Sequence, residues 1–288
     1  MKNTLLWVAA IIIMLAAVIY QRTTGPTYPV KGKFTVNNKD FKYKLLRTHE
    51  TTEGAKISLP DTGDSNFEAA LHYKRFQTKD DFTVLPFAKE EDLFKAQLPV
   101  QPSAGKMEYF VTGKLEGKSF RIPEEGQDNI VLRYKDPVPG FILWPHVFMM
   151  FFAVLFGMRA GISAVFQPEN MRKWAIVSLI GMTVGGMMLG PLVQKYAFGE
   201  YWTGFPYGKD FTDNKMLIMW LAWLFAMAII GFKPKKKEGI SRIVVLFAAI
   251  VMTLAYLIPH SMGGSTLDYD KVDQGIDPTE AIKTGKSD

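Results

Sequence analysis

Two of the four histidines in this 288-residue chain directly follow a proline within an apolar segment. His146 lies in LWPHVF, residues 143–148, and His260 lies in LIPHSMGG, residues 257–264. An imidazole titrates near neutral pH and can ligate haem iron or a divalent metal. One hypothesis is therefore a shared site in which His146 and His260 bind haem b or a metal. The other is two unrelated histidines at the water boundary of their helices.

The elements that carry these histidines are long apolar runs. About 20 apolar residues span a bilayer as a helix, and shorter runs suffice with flanking anchors. Five runs of this kind predict five transmembrane helices: Leu5–Tyr20, Phe141–Phe166, Trp174–Val193, Met216–Phe232 and Ile243–Pro259. The chain is thus predicted to be an integral membrane protein, with a four-helix transmembrane domain over residues 141–260.

The first run has two interpretations, a cleaved signal peptide or an uncleaved anchor. Its apolar core is long, and Tyr20-Gln21-Arg22 is not a small-residue cleavage site. We therefore predict an N-terminal transmembrane anchor over residues 1–21.

The basic residues predict the orientation of the helices. With Lys2, one side collects nine basic residues against two acidic ones, including the run KPKKKE at residues 233–238. Because cytoplasmic loops are enriched in Lys and Arg, the N-terminus is predicted to be cytoplasmic, and residues 22–140 and a polar tail, 261–288, to be periplasmic at a bacterial inner membrane. The alternative role for KPKKKE is the binding of anionic lipid. The net charge of +6 then requires no nucleic-acid partner.

This topology places both histidines on the same outer side as the connection of residues 194–215. That connection, QKYAFGEYWTGFPYGKDFTDNK, contains seven aromatic residues among its 22. It is either an aromatic belt at the membrane surface or a folded loop that covers the bundle. In the second case Tyr201, Trp202 and Asp213 would cap the histidine site.

Small residues recur at four-residue spacing in the second and third helices. Such spacing lets helix backbones approach closely, so packing within the bundle is predicted, with dimerisation as the alternative. The residues are Gly157, Gly161, Gly181, Gly185, Gly186 and Gly190.

Residues 28–137 alternate between apolar and polar side chains in short stretches separated by turn residues, which predicts a β-sandwich. The stretch around NNKD, residues 37–40, predicts a hairpin. The segment LHYKRFQTKDDFTVLPF, continued by FKAQLPVQPSAGKMEYFVTGKLEG, resembles the middle strands of immunoglobulin-like or fibronectin-III-like modules. That resemblance implies a fold and not an activity. The chain has no cysteine, which excludes disulfides, thiolate metal sites and cysteine nucleophiles.

The combination of LWPHVFMMFFAVLFGMRAG, the aromatic connection and YLIPHS is similar to a group of uncharacterised bacterial integral membrane proteins with a small external β-domain. The whole chain is thus predicted to be a mixed membrane protein with an anchor helix, a periplasmic immunoglobulin-like β-sandwich and a four-helix bundle. The favoured function is non-enzymatic, as a component or assembly factor of a cell-envelope complex, with the lipid bilayer and a protein in the membrane or periplasm as partners. A haem- or metal-binding redox protein is the second hypothesis. A small-solute transporter is the third and least favoured hypothesis, because the five apolar runs lack Asp, Glu and Lys and so offer no obvious path for an ion or a proton.

Overall fold

The computed structural model describes residues 2–36, 39–64, 66–115 and 118–283. The chain forms two compact units. The membrane unit contains the residues up to Pro26 together with Val138–Gly264, and the β-unit contains Thr27–Pro137 together with Ser265–Lys283.

Five helices of the membrane unit are long and apolar enough to cross a membrane, which confirms the predicted number of spans. The third is one long helix, residues 168–198, whose middle is a π-helical segment. The helices are α1 (Lys2–Thr24), α2 (Gly140–Phe166), α3 (Pro168–Gly181), the π segment (Met182–Leu189), α4 (Gly190–Phe198), α5 (Phe211–Ile230) and α6 (Gly239–Leu257).

Helix α5 begins at Phe211, five residues before the apolar run from which it was predicted, Met216–Phe232. The carboxylate of Asp210 accepts hydrogen bonds from the backbone N–H of Thr212 at 2.7 Å and of Asp213, so it caps the helix at Phe211. Asp213 and Lys215 consequently lie inside the first turns of α5, and both are buried.

Helix α1 packs as an integral member of the bundle. Ala10, Met14 and Ala17 are buried in the same apolar core as α2 and α6. Near its end, the Nε2 of Gln21 donates to the carbonyl of Tyr256 at 2.9 Å. Near its start, Asn3 accepts from the buried guanidinium of Arg159 at 2.7 Å. Helix α1 therefore makes apolar contacts along its length and polar contacts at both ends, as a helix of the bundle does.

The helices approach one another at the glycines. A Cβ on Gly161 would lie 2.5 Å from the Cβ of Ala249, and one on Gly185 would lie 2.6 Å from the Cβ of Met149. These distances are shorter than van der Waals contact, so only glycine permits the observed backbone separation. Gly157, Gly181 and Gly186 meet neighbouring helices as closely, whereas Gly190 leaves room for a methyl group.

The β-unit consists of several sheets around one apolar core. Strands β1 and β2 pair as the hairpin that the sequence predicted, with Val36 opposite Lys39. A six-stranded sheet has the order β3-β11-β9-β5-β6, with β10 paired to β9, and a three-stranded sheet has the order β4-β8-β7. The strands are β1 (Val30–Val36), β2 (Lys39–Leu45), β3 (Thr48–Glu50), β4 (Lys56–Pro60), β5 (Glu68–Arg75), β6 (Thr83–Pro86), β7 (Ala88–Glu90), β8 (Leu93–Gln97), β9 (Lys106–Leu115), β10 (Lys118–Ile122) and β11 (Ile130–Lys135).

The core of the β-unit lies between these sheets. Ile57 and Leu59 of β4 enter it from the smaller sheet, and Leu71, Tyr109 and Leu132 enter it from the larger one. Leu71 and Leu132 are fully buried. At about 25 cal/mol per Å² of buried apolar surface, such residues supply most of the stability of a water-exposed domain.

The segment after α6 belongs to the β-unit. Residues 265–283 form the short hairpin β12 (Thr266–Leu267) and β13 (Ile282–Lys283), with the helix α7 (Tyr269–Asp273) between them. We call this segment the C-terminal strap. The sequence placed it in a polar tail, 261–288, whose last residues, 284–288, lie outside the described part of the chain.

Contacts of Tyr269 and Asp273 help to fasten the C-terminal strap to the strands. The hydroxyl of Tyr269 accepts from the backbone N–H of Lys106 and donates to its carbonyl, both at 3.0 Å. The guanidinium of Arg75 donates to both carboxylate oxygens of Asp273, at 2.7 and 2.9 Å.

The packing of the C-terminal strap also constrains the number of membrane crossings. It packs against strands that precede α2, so both segments lie on the same side of the membrane. An even number of crossings must therefore separate them. The four candidate spans between residues 140 and 257 satisfy this requirement.

Candidate functional site

His146 lies in the second turn of α2 and is half-buried. Its Nδ1 is 2.8 Å from the carbonyl oxygen of Gly185. Because a carbonyl can only accept, Nδ1 carries the proton of a neutral His146 and Nε2 keeps a lone pair. A histidine fixed in this tautomer by a carbonyl is the arrangement commonly found in metal and haem ligands.

The carbonyl that receives this bond belongs to the π segment. The backbone N–H of Gly190 also donates to Gly185, in the i+5 pattern of a π-helix. A hydroxyl–indole contact holds the same segment to α5, since Nε1 of Trp220 donates to Oγ1 of Thr183 at 2.9 Å. π-Helical turns occur frequently at functional sites, so His146 is attached to the least regular part of the bundle.

His260 follows the end of α6, in a segment that contacts the start of α5. The ammonium of Lys215 donates to the carbonyl of Ile258 at 2.5 Å, and the N–H of Ser261 donates to Oγ1 of Thr212 at 3.1 Å. Lys215 is therefore partly neutralised by the negative end of α6. Among the described residues, no carboxylate forms a salt bridge with it.

The contacts of the two histidines differ. His146 is bound to the π segment through the carbonyl of Gly185, whereas His260 is exposed to solvent just after the end of α6. The charged group that the contacts bring near His260 is Lys215, which binds the carbonyl of Ile258. No hydrogen bond joins the two imidazoles within the described chain.

The connection between α4 and α5 folds through hydrogen bonds to the first turns of α5. The carboxylate of Asp213 accepts from the backbone N–H of Thr203 at 2.6 Å, and Thr203 accepts from Nε2 of Gln194 at 2.6 Å. The next residue of the helix, Asn214, accepts from the backbone N–H of Phe205 at 2.7 Å. Asp213 thus binds the loop backbone, and within the described residues it forms no hydrogen bond with either histidine.

The aromatic residues of this loop point outward. Tyr201, Phe205 and Tyr207 are more than half exposed, whereas Thr203 is fully buried. The indole of Trp202 donates to the carbonyl of Phe205 at 3.0 Å, within the loop. The loop therefore combines a folded, polar interior with an aromatic exterior, the composition of an interfacial surface.

The donor set limits which cofactor could bind the two histidines. Among the described residues, no group of three His, Cys, Asp or Glu could hold a metal ion. Lys215, whose ammonium binds the carbonyl of Ile258, also places a positive charge near His260. Two histidines are the ligand pair that haem b would require.

The β-unit carries a second concave surface. An open cleft of about 1050 Å³ lies at one end of the six-stranded sheet. Three phenylalanines contribute to its lining, Phe67, Phe87 and Phe120, and charged residues of both signs surround them: Glu68, Lys114, Arg121, Glu124 and Glu125. The ring of Phe120 lies across Gly113, where a Cβ would meet its Cζ at 2.3 Å. The cleft thus combines apolar surface with exposed charge, as protein-binding surfaces do.

Sequence reasoning missed Lys215, because it stands one residue before the apolar run that marked the helix. The signal that could have found it is the N-cap pattern of Asp210 ahead of Phe211, which moves the helix start upstream. It also missed the π segment, for which the glycines gave only a packing signal.

A comparison of the chain with protein-family models found no match, and a comparison with curated proteins found none either.

Proposed function

We propose that this multi-pass membrane protein is a non-enzymatic component or assembly factor of a cell-envelope complex, with its β-unit as the recognition part. One observation carries the proposal: after the last span, the chain returns to the β-unit and adds the C-terminal strap to it. Three chain connections then join the β-unit to the spans α1, α2 and α6. A domain that only needed to be tethered would require one.

We place this β-unit in the periplasm of a bacterial inner-membrane protein and regard it as an immunoglobulin-like or fibronectin-III-like sandwich. The concentration of basic residues in the connections on the opposite side supports the orientation. Two sheets that share one apolar core support the sandwich. The cleft lined by Phe67 and Phe120 is the surface we assign to the partner.

Affinity isolation from mild detergent tests this function. The wild-type protein is expected to retain a partner at constant stoichiometry. Charge reversal at the cleft, E124K with E125K, is expected to lose it, because both side chains are exposed at the cleft. The matched control is E91K with D92K, which changes the charge equally at exposed residues elsewhere on the β-unit. Recovery of the protein alone, under conditions that preserve other envelope complexes, contradicts the proposal.

A second candidate is a membrane redox protein that binds haem b through His146 and His260. The observation that favours it is the Nδ1 hydrogen bond of His146, which leaves Nε2 as a ligand atom. Purified protein is then expected to show a Soret band that is lost in H146A and in H260A. A sample purified from haem-replete cells with no Soret band and no stoichiometric metal excludes this function.

A further inference from the structure

The connection between α5 and α6, residues 231–238, presents a group of lysines that none of the functions above uses. The four ammonium-bearing side chains are exposed: Lys233, Lys235, Lys236 and Lys237. Lys235 also reaches back to the carbonyl of Ile229. No salt bridge joins any of the four to a carboxylate in the described chain. We call these residues the lysine surface.

The one acidic residue of this connection is withdrawn from the lysine surface. Glu238 accepts from Nη2 of Arg172 at 2.8 Å and from the backbone N–H of Lys235 at 2.7 Å. The hydrogen bond from Arg172 lowers the pKa of Glu238 to about 2, so the carboxylate stays ionised and paired. Arg172 itself is held by the carbonyl of Ile230 at 3.2 Å. The surface that remains is therefore uniformly positive.

Large apolar side chains border the lysine surface. Phe232 is 80% exposed, and Ile240 and Ile243 are 71% and 68% exposed. They stand at the ends of two candidate spans, where apolar side chains enter hydrocarbon. The neighbouring ammonium groups then lie at the level of the lipid headgroups.

We infer that the lysine surface binds the phosphate groups of anionic phospholipids in the adjacent leaflet. Lysines near an anionic membrane surface each strengthen association about fivefold. Their flexible stems let several ammonium groups reach separate phosphates. Glu238, paired with Arg172, holds the connection close to the membrane so that the lysines remain at headgroup depth.

Two features favour a lipid over a soluble polyanion. The connection has only eight residues, from Gly231 to Glu238, and Glu238 is tied to α3 through Arg172. The bordering Phe232 and Ile240 offer apolar surface that acyl chains cover and that a nucleic acid or polyphosphate does not.

Native mass spectrometry of the full chain in detergent tests the inference. The protein is mixed with equal amounts of phosphatidylglycerol and phosphatidylcholine of identical acyl chains. Wild-type protein is expected to retain phosphatidylglycerol preferentially. The variant K233Q/K235Q/K236Q/K237Q is expected to lose that preference at least tenfold. Raising the ammonium acetate concentration should weaken the preference in the wild type, because salt screens exposed charges.

The matched control removes four exposed lysines from the β-unit, as K39Q/K42Q/K44Q/K79Q. It has the same net charge as the test variant and should keep the wild-type preference. Measurement in detergent makes the result independent of the orientation in which a variant inserts. Equal retention of both lipids by the wild type overturns the inference, as does full displacement of phosphatidylglycerol by glycerol phosphate or by polyphosphate at equal concentration.

Discussion

The membrane unit packs helix backbones against each other, whereas the β-unit packs large side chains between its sheets. In the membrane unit, Gly161 brings α2 onto Ala249 of α6 with no room for a methyl group. In the β-unit, the ring of Phe34 stacks on Phe120 with centroids 5.7 Å apart and on Phe67 at 6.3 Å. Lipid is as apolar as a leucine side chain, so helices in a bilayer gain from close contact instead of from burial. Strands in water gain from burial itself.

Both units satisfy polar groups with backbone partners, but at different places. In the membrane unit, Gln21 and Lys215 bind backbone carbonyls at the end of α6, and Arg242 binds those at the end of α2. Helix ends leave four carbonyls without partners, and a membrane unit without nearby water satisfies them with side chains. In the β-unit, the buried hydroxyls of Tyr109 and Tyr134 bind the backbone of Leu46 and Ala55.

The two kinds of packing predict opposite sensitivities. Removing side-chain volume should damage the β-unit most, and adding volume should damage the membrane unit most.

The largest effect is expected from Leu132→Ala in β11. Leu132 is fully buried, so the cavity should lower the free energy of unfolding by about 2–5 kcal/mol. Amide exchange of β9 and β11 measures the change. All six tryptophans lie in the membrane unit, so tryptophan emission should stay unchanged and show that the damage is confined to the β-unit. Val84→Ala, at an exposed position of β6, is the control. Equal protection in both variants contradicts the prediction.

A smaller effect is expected from adding one methyl group to the π segment. In Gly185→Ala the new Cβ meets the Cβ of Met149 and the backbone nitrogen of Met150, which cannot move aside freely. The control Gly190→Ala adds the same methyl where its nearest neighbour, Cε1 of His146, is 3.7 Å away. The unfolding free energy of Gly185→Ala should be about 1–3 kcal/mol below that of the control. Detergent unfolding followed by tryptophan emission measures it, and identical curves remove the proposed distinction between the units.

The ion pair of the C-terminal strap should make its docking depend on pH. Arg75 lowers the pKa of Asp273, so the contribution of this pair is present above the ordinary Asp value of 3.8 and is lost as the pH falls through the lowered value. Exchange of the α7 amides, corrected for the intrinsic rate, should therefore increase at acid pH. Asp273→Asn should show the faster exchange at neutral pH already, with less dependence on pH. A strap whose protection is the same in both proteins at every pH is held by its other contacts, such as those of Tyr269 and Leu267, and not by this pair.

The smallest effect is expected from Trp220→Phe, which removes the hydrogen bond to Thr183 and keeps most of the ring. Single interhelical hydrogen bonds in membrane proteins contribute about 0.6 kcal/mol on average. The same detergent unfolding assay applies, read out by the five remaining tryptophans. Trp144→Phe, at an exposed position of α2, is the control. A loss of several kcal/mol would mean that the π segment depends on this bond far more than a single contact allows.

Features that depend only on neighbouring residues are predictable from the amino-acid sequence of this protein. The five spans follow from runs of apolar side chains, and the hairpin β1–β2 follows from alternation around a turn. Both signals lie within a few residues of the structure that they specify, so they can be read without knowledge of the rest of the chain.

Features that join residues distant in sequence depend on how the folded chain packs. Asp210 caps α5 upstream of the apolar run, so Lys215 lies inside the helix and is buried. The ammonium of Lys215 binds the carbonyl of Ile258, 43 residues later, at the end of α6. Tyr269 and Asp273 join the β-unit through contacts more than 160 residues away. His146 binds the carbonyl of Gly185 in the π segment, 39 residues later along the chain. The physical reason is the same in each case: a buried polar group must find a partner, and which partner is nearest is fixed by packing and not by spacing.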